Sequence, residues 1–126
     1  NLFTIQSRVI QKVAAERSCV VIGRVADYIL RHHPHHINVF ITASMSDRVQ
    51  ELMRRRGIDA KAARRILEEA DEERSTYYNF YSLGTWGTAD TYDLCINSSI
   101  LGPDGTTDFI ARFVEERFGL GENTAE

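Results

Sequence analysis

The sequence is poor in cysteine and proline, with two of each in 126 residues, and it has no long apolar run. Both cysteines, Cys19 and Cys95, stand inside apolar, strand-like segments. A lone cysteine in such a segment is more often a small buried hydrophobe than half of a disulfide or a metal ligand. No segment reaches the ~20 apolar residues that a membrane-spanning helix needs, and no secretory signal is visible. We therefore predict two reduced, buried thiols in a cytoplasmic protein.

The sequence also lacks a strong excess of charge of either sign. Its formal net charge is -3, with 15 basic and 18 acidic residues. This balance argues against a broad nucleic-acid surface but leaves room for a local basic pocket that binds a small phosphorylated ligand. A hydrophobic content of 43% over 126 residues fits one globular domain with a single core. We expect neither a nucleic acid nor a membrane as a partner.

One apolar stretch, residues 19–30, organises the rest of the chain. Four small or β-branched residues run unbroken into Gly23, a pattern typical of a strand buried on both faces of a parallel sheet. A helical apolar period follows at once. Arg24 and Asp27 then stand at the carboxyl end of the strand, where ligands of open α/β sheets usually bind. A surface ion pair near a helix start explains these two residues equally well.

Further helical and strand periods alternate along the chain. Helices are predicted over about residues 2–16, 24–33, 44–56, 59–81 and 106–118, and strands over 19–22, 37–42 and 92–97. This alternation predicts an α/β fold with three layers, in which helices flank a parallel sheet. Trp86, the only tryptophan, lies in a glycine-rich connection and is expected to be a packing anchor. Residues 121–126 are expected to fray.

Four histidines cluster around Pro34: His32, His33, His35 and His36. They lack the cysteine and carboxylate companions of typical metal sites and stand in a polar connection. The sequence therefore predicts no metal site.

One arginine interrupts an apolar helical stripe. The stripe follows spacings of three and four residues and consists of Ala63, Leu67, Ala70, Arg74, Tyr77 and Tyr81. A guanidinium at such a position needs an anionic partner. Arg74 either pairs with a nearby carboxylate such as Asp71 or points toward a negatively charged ligand, and the spacing does not decide between these alternatives.

Three segments resemble the cytidylate kinase-like branch of the P-loop nucleoside monophosphate kinases. They are GRVADYIL at 23–30, DEERSTYY at 71–78 and YDLCINSS at 92–99, they keep the order of the family, and the resemblance covers nearly the whole chain. It implies a P-loop kinase-like fold and transfer of the ATP γ-phosphoryl to a pyrimidine nucleoside monophosphate, with ATP and Mg²⁺ as cofactors.

The resemblance also implies roles for individual residues. The matching positions are Gly23, Arg24 and Asp27 at the nucleoside monophosphate site, Arg74 as a catalytic arginine of the mobile lid, and Asn97, Ser98 and Ser99 near the adenine of ATP. Residues at about 57–84 would form the helical lid, and Tyr77 and Tyr78 would belong to its end.

One part of the family pattern is missing. The sequence contains no Gly-x-x-x-x-Gly-Lys-Ser/Thr and no looser glycine-rich loop near its start. In such kinases the strand before this loop lies between the strands matching 20–22 and 39–41. We therefore expect residues 1–126 to be the C-terminal part of a single domain that lacks its first strands, because an N-terminal segment has been lost, cut away or left out.

This missing part leads to two expectations for the chain alone. It should not be a competent kinase, and its exposed strands should either pair with a second copy in a homodimer or approach each other across the gap. The alternative function is a non-catalytic nucleotide-binding or self-associating module on the same scaffold. A third alternative is an unrelated α/β domain whose arginines are structural.

Overall fold

The predicted periods form helices and strands over residues 1–120, which are the residues that the computed structural model describes. The elements are α1 (Leu2–Glu16), α2 (Ala26–Ile29), β1 (Val39–Thr42), α3 (Met45–Arg56), α4 (Ala60–Tyr81), a 3₁₀ turn (Ala89–Thr91), β2 (Leu94–Asn97) and α5 (Ser98–Phe118). None of the helices in this range is long and apolar enough to cross a membrane. The expected fraying of 121–126 concerns residues outside the described range.

Local side-chain chemistry sets the ends of the long helices. Ser44 accepts a hydrogen bond from the Asp47 N–H at 3.1 Å, and Asp59 accepts one from the Ala62 N–H at 2.8 Å, so each caps the helix that follows it. Gly57 ends α3 in the left-handed conformation, with φ +66°. These ends agree with the predicted helix boundaries.

The two strands pair in parallel, and their register runs from Val39 opposite Leu94 to Thr42 opposite Asn97. A hydrogen bond continues this pairing just before the strands, where the Asn38 N–H donates to the Asp93 carboxylate at 2.7 Å. The carboxyl ends of β1 and β2 therefore meet at one edge, from which α3 and α5 depart. This is an α/β arrangement, but the sheet within residues 1–120 has two strands, whereas the sequence predicted three strands in a three-layer fold.

The prediction of a buried strand at 19–22 is wrong for this structure. The segment is not part of the sheet, and two of its apolar side chains face solvent: Val20 is 88% exposed and Ile22 is 84% exposed. A strand needs a hydrogen-bonded neighbour, and within the described residues β1 pairs with β2 alone. The prediction of buried thiols is also wrong, because both Cys19 and Cys95 are free and exposed.

The final helix begins earlier than predicted. Asn97 caps it by accepting from the Ser99 N–H at 2.9 Å, so the first turn forms at Ser98 rather than near residue 106. Gly102 then bends the chain with φ +76°, and Pro103 follows the bend. The predicted loop at 98–105 is thus a short helical turn joined to the long helix by a kink, and Gly119 ends that helix as predicted.

The core of the described residues is small and partly aromatic. Its buried apolar side chains are Val25, Ala26, Ile29, Leu52, Ala63 and Tyr78. Trp86 meets Phe40 edge to face, with the ring centroids 5.2 Å apart, which confirms its role as a packing anchor. Tyr92 packs on the same Phe40 ring at 4.8 Å. This cluster holds the 83–91 connection against β1.

Candidate functional site

The turn that carries Arg24 has an unusual backbone. Gly23, Arg24 and Val25 are all left-handed, with φ values of 66°, 59° and 58°. This region costs an ordinary residue about 1–2 kcal/mol, and a β-branched residue such as Val25 enters it rarely. The burial of the Val25 side chain offsets this backbone cost, because Val25 is only 4% exposed and anchors the turn in the core. The turn shortens the predicted helix to α2 and leaves Arg24 exposed.

Asp27 does not pair with Arg24. Its Oδ1 accepts from the Tyr28 N–H at 2.8 Å, and its Oδ2 accepts from the Tyr78 hydroxyl at 2.5 Å. No ion pair within residues 1–120 involves Arg24. The structure therefore does not form the surface pair that was one of the two sequence-based interpretations. It places Asp27 against the last turns of α4 instead.

Burial raises the pKa of the Tyr78 hydroxyl above its usual range, and the hydrogen bond and negative charge of Asp27 raise it further. Burial also raises the pKa of Tyr92, whose ring lies 6.4 Å from that of Tyr78 between centroids. The raised pKa favours the protonated hydroxyl, which is the form that donates the hydrogen bond to Asp27.

A cavity of about 410 Å³ opens between α2 and the connection after α4. Its lining is mostly polar and consists of Asp27, Tyr28, Arg31, Asn38, Tyr78, Leu83, Gly84, Thr85, Thr88, Asp90 and Thr91. The Arg31 guanidinium lies over the Tyr28 ring, 3.9 Å from its centroid, and forms one wall. The cavity therefore adjoins the segment that carries Arg24 and Asp27.

A second polar cluster joins α3 to α4. Arg48 donates two hydrogen bonds to the Asp71 carboxylate, at 2.8 and 2.7 Å, and Arg74 donates one at 3.2 Å. The hydrogen bond with Asp71 raises the pKa of Arg48. Of its two predicted partners, a nearby carboxylate or an anionic ligand, Arg74 thus contacts the carboxylate of Asp71. Its side chain stays 53% exposed. Sequence reasoning missed Arg48, because nothing in its local pattern indicates a partner 23 residues later.

The predicted nucleotide-binding residues lie at the carboxyl edge of the strands and hold that edge together. Ser98 donates to the Thr42 carbonyl at 3.0 Å, and Ser99 accepts from the Ser44 N–H at 2.9 Å. The Asn97 side chain caps α5. These polar groups thus connect the turn after β1 with the turn after β2, and their role toward a nucleotide stays a prediction.

The histidine cluster makes local contacts. The His33 ring lies 3.3 Å from the Ala14 carbonyl oxygen and accepts from the His35 N–H at 3.1 Å, and the His36 ring lies 2.6 Å from the His33 carbonyl oxygen. Within residues 1–120, no group of three or more His, Cys, Asp or Glu side chains could hold a metal ion. The structure therefore gives these histidines contacts within their own connection and with the end of α1.

A sequence model described as the cytidylate kinase-like family matches residues 1–100. The chain belongs to this family. Curated proteins with similar sequences include the cytidylate kinases of Thermococcus sibiricus, 31% identical over 111 residues, and Thermococcus kodakarensis, 28% identical over 112 residues. These matches cover 86% and 88% of this chain but 56% of each relative, so the chain spans little more than half the length of those proteins.

A solved structure shares the fold of this cytidylate kinase-like chain. It is the crystal structure of an uncharacterized protein from Eubacterium ventriosum, which is 32% identical and superposes with a TM-score of 0.89. The match covers 92% of this chain and 66% of the other. The family predicted from the three sequence segments is confirmed by the family model over residues 1–100 and by the similar cytidylate kinases.

Proposed function

We propose that this chain carries the acceptor-binding turn and the lid of an enzyme that moves the ATP γ-phosphoryl to a pyrimidine nucleoside monophosphate. The observation that carries the proposal is the turn at Gly23–Val25. An exposed arginine without an ion-pair partner among the described residues stands there on a strained backbone that a buried side chain anchors. A free guanidinium held in a defined place is suited to bind the phosphate of a monophosphate acceptor.

The lid, residues 57–84, supplies a second cationic group in this proposal. Arg74 and Arg48 share the Asp71 carboxylate, and Arg74 holds it through a single contact of 3.2 Å. A phosphoryl group carries more charge than one carboxylate and competes for such an exposed guanidinium. Arg74 would then neutralise the charge of the transferring group while the closed lid excludes water.

The remaining parts of the proposal concern the complete protein. Asn97, Ser98 and Ser99 would lie near the adenine of ATP, and a three-layer parallel sheet would include strands that this sequence does not contain. The protein would act in the cytoplasm. The proposal assigns no side chain of residues 1–120 to the Mg²⁺ that accompanies ATP, an ion that proteins usually bind through one or two carboxylates together with the nucleotide phosphates. Since the sequence has no P-loop to bind the ATP phosphates, the chain alone would be inactive.

A coupled kinase assay with cytidine monophosphate and Mg-ATP tests this function. The complete gene product should consume ATP in the presence of cytidine monophosphate, and the 126-residue chain should not. Turnover by the chain alone would contradict the argument from the missing loop. Nucleotide binding without turnover by the gene product would favour the non-catalytic module instead, and adenosine monophosphate serves as the control acceptor.

One observation favours self-association as a second candidate property. Val20, Ile22 and Ile41 are 88%, 84% and 54% exposed, although strand-forming apolar residues are normally covered. A module that associates through these segments would cover them in the assembled state.

A further inference from the structure

Among the polar contacts that attach helix α4 to other segments, which include a hydrogen bond of 3.3 Å from Tyr77 to Gln6 of α1, two differ clearly in burial. In its middle, Asp71 binds Arg48, and these side chains are 28% and 25% exposed. Near its end, Tyr78 is only 8% exposed and donates to Asp27 at 2.5 Å. The Tyr78 side chain is thus better shielded from solvent than the Arg48–Asp71 pair, although Tyr78 and Asp27 both line the cavity.

We propose that Tyr78 and Asp27 are positioning residues whose hydrogen bond forms the fixed end of the lid. The bond ties the last turns of α4 to the first turn of α2 and so keeps the Arg24 turn in register with the lid. This inference rests on the proposed function. It goes further by giving Asp27 a role that requires no contact with the ligand, in place of the direct substrate contact that the sequence predicted.

The carboxylate of Asp27 is well suited to this role because each of its two oxygens accepts a hydrogen bond from within the chain. Oδ1 accepts from the Tyr28 N–H at the start of α2, and Oδ2 accepts from Tyr78. The two residues before Asp27, Val25 and Ala26, are 4% and 8% exposed and pack in the core. A displacement of Tyr78 would therefore be passed through Asp27 to the short, buried segment that follows Arg24.

The surroundings of the Tyr78 hydroxyl leave it little freedom. A β-carbon added at Gly84 would lie 3.4 Å from this hydroxyl oxygen and 3.0 Å from a Thr91 methyl, so the connection after α4 packs closely over it. The Ser82 N–H closes the helix by donating to the Tyr78 carbonyl at 2.9 Å. The end of α4 is thus fixed by the backbone hydrogen bond from Ser82, by the packing of the connection at Gly84 and by the hydrogen bond to Asp27.

Tyr78→Phe removes the hydroxyl and keeps the ring. Tyr81→Phe is the matched control, since Tyr81 lies one turn later, stacks on Phe3 at 4.2 Å, and its hydroxyl has no hydrogen-bond partner within residues 1–120. Amide hydrogen exchange of the chain should accelerate at 23–30 and 76–84 in Tyr78→Phe and stay unchanged in Tyr81→Phe. Equal exchange in Tyr78→Phe and the parent would overturn the proposal, whatever the activity of the protein.

Binding of cytidine monophosphate to the complete gene product then separates positioning from direct contact. Tyr78→Phe should weaken binding about fivefold, the effect of one lost hydrogen bond. Asp27→Ala also loses the bond from the Tyr28 N–H and should weaken binding at least as much, and the double variant should be no worse than Asp27→Ala alone. Asp27→Asn keeps one oxygen acceptor, which can serve Tyr78 or the Tyr28 N–H but not both, and should therefore weaken binding less than Asp27→Ala. It also serves where Asp27→Ala does not fold.

Two other outcomes are informative. If Asp27→Asn weakens binding and Tyr78→Phe does not, Asp27 contacts the ligand directly and the positioning role is wrong. If the parent protein binds no cytidine monophosphate, the proposed function fails, and the exchange measurement still decides whether the hydrogen bond fixes the two segments.

Discussion

Arg74 makes a contact that is too weak to be the structural reason for an arginine on this stripe. Its single hydrogen bond to Asp71 is 3.2 Å long, spans one helical turn, and involves a side chain that is 53% exposed. Exposed pairs of this kind contribute about 0–1 kcal/mol to stability. Asp71 would keep its two stronger bonds to Arg48 without it. Arg74 therefore contributes little to the stability of the fold.

Arg74→Ala should leave stability nearly intact and lower turnover of the complete gene product strongly. We expect the free energy of unfolding to fall by less than about 1 kcal/mol, and turnover to fall about 10²–10³-fold if the guanidinium meets the transferring phosphoryl. Urea denaturation and the coupled assay measure the two effects. Arg64→Ala is the control, because Arg64 is 59% exposed on the same helix and pairs with Glu68 at 3.5 Å. Equal turnover in both variants would show that Arg74 is an ordinary surface residue.

The sequence placed Arg24, Asp27 and Arg74 at positions of interest and offered Asp71 as one partner for Arg74, but it could not give the partners that lie far away along the chain. Asp27 is bound by a tyrosine 51 residues away, and Arg48 meets Asp71 across 23 residues. Local periodicity carries no information about such pairs, since they form only when helices pack. The left-handed turn at Arg24 and Val25 was equally hidden, because neither residue type favours that conformation.

At the scale of elements, the features that depend on neighbouring residues were predictable and those that depend on distant ones were not. The caps at Ser44 and Asp59 act within three residues, and the helix starts that they set were predicted. The strand at 19–22 failed because a strand exists only beside another strand, whatever its own propensity. The early start of α5 was missed because the residues that follow the Asn97 cap have the composition of a loop.

The junction between α3 and α4 gives an element-scale prediction. Gly57 has φ +66°, and a β-carbon there would meet nothing within 4 Å, so an added side chain would cost only backbone strain. Gly57→Ala should therefore lower the free energy of unfolding by about 1 kcal/mol. Gly57→Asn should lose clearly less, because asparagine tolerates the left-handed region better. Equal losses in thermal or urea denaturation would indicate a cause other than backbone strain.

At the scale of the whole molecule, the chain exposes more apolar surface than its folded elements require. Leu2, Ile5 and Val9 follow one face of α1 and are 67%, 58% and 56% exposed. Val20 and Ile22 extend the exposed apolar surface beyond the end of that helix. Such surface favours association with another molecule or segment. The described part of the chain thus has the composition of a domain without the burial that a domain of its length usually achieves.

The chain should therefore associate with itself as its concentration rises. The segments at 20–22 and β1 do not pair with each other in this structure, so both keep unsatisfied backbone groups that a second copy can bind. Sedimentation velocity over a concentration series should show a monomer that converts to larger species. Ile22→Lys should suppress this conversion, because it places a charge in an edge that must be desolvated on pairing. Leu83→Lys should not, although Leu83 is 89% exposed, since it lies on the connection after α4. A monomer at every concentration, with 20–22 still solvated, would show that these exposed segments do not drive assembly.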